Sequence, residues 1–257
     1  MILRIFFLSS SSAVVVAAAA AAGLLAADSL WDANSETARR CLHHPWVLAL
    51  GAGVLPHASF AAYVAQDAYF LIAFARAYGR AIGKCDDIEC ISTLHALLGA
   101  VTDELKLHRG YAARWGANID GVSPIRATSA YTQFLTNVSA SPDTTVVDVL
   151  AAMAPCMSLY AYIGSELAKV KVVVEDGPYK EWVDAYASPD FHEAAKKIEG
   201  LLGKGPWRRA PDYYAEAMRL EFDFFDAQSL DGLDDDRARR AVADLDASLQ
   251  RRACSST

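Results

Sequence analysis

Apolar residues recur at steps of three and four along almost the whole chain, and alternating β-branched runs are nearly absent, so the pattern predicts an all-α fold. Breakers divide it into helices over about 29–52 with a break at Pro45, then 57–83, 87–116, 125–139, 143–171, 178–187, 190–203 and 211–229. A polar helix follows near 234–251, its mixed charges at helical spacing predicting weak packing. Ser123-Pro124, Ser141-Pro142 and Ser188-Pro189 each set a hydroxyl before a proline suited to a first helical turn, which predicts three N-caps. The β-branched run KVKVVVEDG at 169–177 is the one contrary stretch, and it reads as a helix end and a loop.

The first 27 residues stand apart, with one Arg, a serine cluster, no acid before Asp28 and a 15-residue apolar run. That run is short for a membrane span, and the composition suits a targeting leader. The expected organisation is a leader at 1–27, one helical domain at 28–230 and a polar helical tail at 231–257, with no stable membrane insertion of the mature domain. The expected location is cytoplasmic or organellar, in a mitochondrion or plastid.

At 257 residues and 53% hydrophobic composition the chain can bury a substantial core. A net charge of -7 and no Lys/Arg stripe argue against a nucleic-acid partner, because neutralising phosphates needs a basic face. The five cysteines (Cys41, Cys85, Cys90, Cys156 and Cys254) are odd in number and scattered, so no disulfide framework or zinc knuckle is expected and a reducing compartment fits best.

Three polar residues fall on apolar helix faces. Asp67 lies inside the stripe Phe60, Tyr63, Val64, Phe70, Leu71, Phe74, Tyr78 and Ile82. An unpaired carboxylate there would cost several kcal/mol, so Asp67 is either a structural hydrogen-bond anchor or part of a site. Cys156 shares a face with Leu150, Met153, Tyr160, Ile163 and Leu167, and is either core filler or a nucleophile. Pro155, inside the helical pattern, should distort the helix beside that thiol. Glu221 sits among Tyr214, Met218, Phe225 and Gln228, whereas Asp223 suits a surface ion pair. Three inward polar groups flanked by aromatics suggest one apolar pocket, which Tyr131 and Tyr186 could line. Glu104 and His108 have metal-ligand spacing, but no second such pair exists, so no metal is expected. His43-His44, before Pro45, reads as capping or loop polarity.

Taken in order, HPWVLALGAGVLPHASFAAYVAQDAYFLIAF, ELKLH, APCMSLYAYIG, PYKEWVDAYAS and LEFDFF resemble the TenA/thiaminase II family over about 30–230, most closely its cysteine-containing eukaryotic branch. The resemblance implies a heme-oxygenase-like helical bundle without heme, no cofactor, and a homodimer or homotetramer. It also implies hydrolysis of small aminopyrimidines from thiamin breakdown. By the same resemblance Cys156 matches the nucleophile, Glu221 the acid that protonates a ring nitrogen, and Asp67 the carboxylate holding the amino-pyrimidine edge. Tyr186, Tyr160 and Tyr131 match pocket tyrosines, whereas Phe70 stands where the family pattern has a tyrosine that would help position the cysteine.

Overall fold

A computed structural model describes residues 27–170, 177–204, 207–233 and 235–255, apart from the side chains of residues 104, 106–111, 113, 204 and 255. The leader up to residue 26, the β-branched run at 171–176 and the Glu104/His108 side chains therefore lie outside the described residues. Helices follow one another in order: α1 (Ser35–Leu42), α2 (Pro45–Gly51), α3 (His57–Ile82), α4 (Ile88–Trp115) and α5 (Arg126–Ala140). After these come α6 (Val146–Ala168), α7 (Lys180–Tyr186), α8 (Pro189–Leu201), α9 (Ala210–Asp226) and α10 (Asp236–Ser255). No strand occurs among the described residues.

The bundle is organised around α6, which packs against α9, α8 and α7, while α3 packs against α4, α5 and α6. Both α3 and α6 are long and apolar enough to cross a membrane, but 61% and 83% of their most apolar stretches are buried inside the bundle. Packing against neighbouring helices accounts for that apolarity, as expected of core helices apolar on more than one face. Helix α6 runs unbroken through Pro155, so the expected distortion stops short of a break. The proline still lacks an N–H, which removes the usual partner of the Ala151 carbonyl one residue before Cys156.

Only one of the three predicted Ser-Pro caps forms: Ser188 Oγ accepts from the Phe191 N–H at 3.2 Å. Helix α6 starts later than predicted because Thr145 and Asp148 make a capping box, each side chain bonding the other's backbone N–H. Ser141 instead accepts from the Asp143 N–H at 3.2 Å. Before α5, the buried Gln66 side chain takes the turn: its Oε1 accepts from the Ile125 N–H at 3.0 Å and its Nε2 donates to the Ser123 carbonyl at 3.2 Å. His44 does cap α2, its Nδ1 accepting from the Trp46 N–H at 3.2 Å.

Two expectations are corrected. Cys85 and Cys90 are joined by a disulfide across the turn between α3 and α4, which brings their Cα atoms to 5.8 Å. The tail helix α10 also docks firmly: Leu245 and Leu249 are buried, and His43 Nδ1 pairs with Asp246 at 2.5 Å. Its apolar residues are few, but they share one face against α2.

Candidate active site

Asp67 points from the middle of α3 into the bundle, Cys156 and Tyr160 from successive turns of α6, and Tyr186 from the end of α7. These four side chains line one cavity, closed by Leu71, Phe74, Val101, Met157 and Phe191. The cavity measures about 30 Å³, far below the several hundred Å³ usual for a small-molecule site. A roomier groove of about 670 Å³ lies on the other side of α3, lined by Tyr69, Ile72, Leu105 and Ile119 to Val122, but among the described residues it offers no nucleophile and Asp120 is its one ionisable carboxyl. The small cavity is thus where the chemistry-bearing groups meet.

Tyr186 reaches it because α6 and the end of α7 come unusually close at Gly164. A Cβ on Gly164 would lie 2.7 Å from the Tyr186 Cβ and 2.8 Å from the Ala187 nitrogen. Nothing larger than hydrogen fits there, so glycine sets the depth at which Tyr186 sits. The Tyr186 ring packs against Tyr160 at 4.8 Å and against Phe191 at 4.9 Å between centroids.

Glu221, from α9, is 2% exposed and accepts a 2.6 Å hydrogen bond from the Tyr131 hydroxyl on α5. Burial pushes its carboxyl up to about 8, against the pull of hydrogen bonds from Tyr131 and Cys156, while the nearby Asp67 charge pushes in the same direction as burial. At neutral pH Glu221 therefore holds its proton, and a carboxylic acid rather than a carboxylate stands beside the thiol. Tyr131 stays protonated as well, because burial raises it well above the ordinary phenol range. A second thiol, Cys41, also feels Glu221, but it is fully buried and burial holds it far up in its protonated form. Of the two cysteines near that acid, Cys156 is the half-buried one on the cavity wall.

The structure brings the seven sequence candidates into one neighbourhood in two layers. Asp67, Cys156, Tyr160 and Tyr186 line the cavity, whereas Glu221 is joined to Cys156 by a hydrogen bond and Tyr131 stands behind Glu221. Phe70 is buried and packs against Tyr131 at 4.7 Å and Phe74 at 5.5 Å, filling space with no polar contact of its own. Asp223 pairs with Arg219 at the surface, as expected. Among the described residues no three His, Cys, Asp or Glu side chains gather as metal ligands would. Sequence reading missed Phe191, which has no local pattern to mark it, and Val101, one apolar residue in a long amphipathic helix. It also read Tyr63 as core packing, yet the Tyr63 hydroxyl reaches Tyr160 and Trp182.

Comparison with known proteins places this geometry in a family. The chain is 34% identical over 220 residues to the bifunctional TH2 protein, mitochondrial, of Arabidopsis thaliana, covering 75% of this chain but only 36% of that protein. It is 30% identical over 212 residues to the aminopyrimidine aminohydrolase of Halalkalibacterium halodurans, covering 78% of this chain and 90% of that one. Among solved structures, a TenA family transcription regulator from Silicibacter sp. TM1040 superposes with a TM-score of 0.71 at 28% identity, over 78% of this chain and 95% of that one. A TenA homologue from P. horikoshii superposes with a TM-score of 0.70 at 22% identity, covering 77% and 95%, and shares the fold. The all-α, heme-oxygenase-like bundle expected from the sequence is the fold these structures share with this chain. The sequence profile described as the TENA/THI-4/PQQC family matches residues 31–228, and the chain belongs to that family.

Proposed function

We propose that this chain is a hydrolase that releases 4-amino-5-hydroxymethyl-2-methylpyrimidine from the aminomethyl or formylaminomethyl pyrimidine, and more slowly from thiamin. The observation that carries this reading is one cavity holding the Cys156 thiol and the Asp67 carboxylate, with a protonated Glu221 bonded to that thiol. Two relatives support it by name: the Halalkalibacterium halodurans protein and a Helicobacter pylori protein, 24% identical over 166 residues, are both aminopyrimidine aminohydrolases.

In this reading Asp67 accepts from the exocyclic amino group and orients the ring. The Cys156 thiol passes its proton to the side-chain amine of the substrate as Sγ forms a bond to an electron-poor ring carbon, and the displaced electron pair settles on a ring nitrogen, which takes the Glu221 proton. Return of that pair expels the amine from the exocyclic methylene, and the amine leaves protonated. Water adds to the methylene, its spare proton returns to Glu221, and the S–C bond breaks as the ring-nitrogen proton passes back to sulfur, which restores both the aromatic ring and the thiol. A neutral acid at pH 7 suits the first transfer, because a carboxyl ionised at its ordinary pKa would have no proton to give. Phe70 supplies no hydroxyl, so the Glu221 contact is the interaction the reading assigns to thiol control.

The cavity is about a tenth of the usual size of a small-molecule site, so in this reading side chains move on binding. Tyr186 and Phe191 are half-buried lining residues on neighbouring helices and are the natural pair to swing aside. The test is a substrate panel of aminomethyl pyrimidine, formylaminomethyl pyrimidine and thiamin, assayed for the common hydroxymethyl product. Release from at least one pyrimidine is expected. Tight binding of the panel with no product from any member would make the chain a binder of such compounds instead of an enzyme.

A further inference from the structure

The cavity's fourth polar wall, Tyr160, is backed by a chain of hydrogen bonds through Tyr63 to Trp182. Trp182 Nε1 donates to the Tyr63 hydroxyl at 3.4 Å, and the Tyr63 hydroxyl donates to the Tyr160 hydroxyl at 3.4 Å. An indole nitrogen can donate but never accept, so the Tyr63 oxygen is committed as an acceptor at that end. Its own buried proton has no other acceptor among the described residues, so it goes to Tyr160 and takes up a lone pair of that oxygen. Among the described residues no acceptor takes the Tyr160 proton, and Tyr160 lines the cavity.

All three members are buried, and each is fixed by aromatic neighbours on a different helix. Tyr63 on α3 packs against Trp46 at 4.6 Å and Phe224 at 5.8 Å, and Tyr160 on α6 packs against Phe225 at 5.7 Å. Trp182 on α7 lies 5.9 Å from Tyr160 and 4.6 Å from Tyr186. Held this way, the Tyr160 ring keeps its hydroxyl at the cavity wall.

We propose that Tyr63, driven by Trp182, is a positioning residue that sets the polarity of Tyr160, so that the cavity presents a hydroxyl donor beside the Asp67 acceptor. A ligand must then carry a hydrogen-bond acceptor next to a donor, as a heteroaromatic ring nitrogen beside an amino group does. An isostere with a C–H in place of that nitrogen leaves the Tyr160 proton unpaired and is rejected. The inference rests on the proposed function for the identity of the ligand, and adds the origin of its selectivity.

The test is a double-mutant cycle read in KM and kcat for the aminomethyl pyrimidine. Tyr63→Phe keeps the ring in its cluster and removes the hydroxyl; KM is expected to rise about 3- to 10-fold, the effect of one hydrogen bond, with kcat within about twofold. In a Tyr160→Phe background the same substitution should leave KM unchanged, since no hydroxyl remains to orient. An equal rise in both backgrounds would show that Tyr63 acts by packing alone and would overturn the chain. A wild type that hydrolyses no pyrimidine defeats the proposed function separately. The chain is then judged by the indole N–H resonance of Trp182, expected to move in Tyr63→Phe and far less in Tyr160→Phe; a resonance indifferent to Tyr63→Phe overturns it.

Discussion

Glu221→Gln isolates the cost of keeping a carboxyl in the bundle. The amide oxygen can still accept from Tyr131, so the substitution removes the ionisable group with little change in shape. In the folded protein the Glu221 carboxyl titrates at about 8, against 4.5 for an unperturbed one. Between those values the folded chain holds a proton that the unfolded chain has released, so stability falls as pH rises through this window. Each pH unit is worth about 1.4 kcal/mol, and the window spans about 3.5 units, so the wild type should lose about 5 kcal/mol relative to Glu221→Gln. Below about 4.5 both states are protonated and above about 8 both are ionised, so the difference is flat outside the window. Urea unfolding of both proteins at one-unit steps from pH 4 to 9 reads it directly. Parallel stability curves from pH 5 to 8 would refute a buried, proton-holding Glu221, and with it the acid role.

Tyr131→Phe removes the hydrogen bond that holds the Glu221 carboxyl down, so the alkaline limb of the kcat–pH profile should move to higher pH; a limb that stays or falls contradicts the contact. Gly164→Ala places a methyl 2.7 Å from Tyr186 and should cost about 1–3 kcal/mol in unfolding experiments, with a raised KM as Tyr186 is pushed from the cavity wall. A variant as stable and as tight-binding as wild type would show that the close approach is unimportant. Leu245→Ala should cost about 2–5 kcal/mol, because Leu245 is fully buried where α10 meets α2; a thermal midpoint within a degree of wild type would restore the expectation of a weakly packed tail.

Most helices were legible because burial imposes a helical period on their apolar residues, and Asp67 and Glu221 were legible because carboxylates interrupt that period. Cys156 could not be resolved from its own helix, since an inert core thiol and a reactive one occupy the same face. Its distinction from Cys41 depends on distance to a cavity, which only the assembled bundle defines. The Cys85–Cys90 bridge was hidden because a turn, not a repeat or a spacing motif, brings the two sulfurs together. The Ser-Pro caps at 123 and 141 failed where stronger partners, Gln66 and the Thr145–Asp148 box, fixed the backbone first. Tyr63 was indistinguishable from packing because a core tyrosine differs from phenylalanine by one hydroxyl, whose partners come from α6 and α7.

The central claim is that the Cys156 thiol forms the bond that starts hydrolysis. Release of the hydroxymethyl pyrimidine from the aminomethyl compound should fall at least about a hundredfold in Cys156→Ala, with ligand binding retained. Cys41→Ala, which alters a thiol with no access to the cavity, supplies the matched control and should keep its turnover. Undiminished product release by Cys156→Ala would contradict the claim.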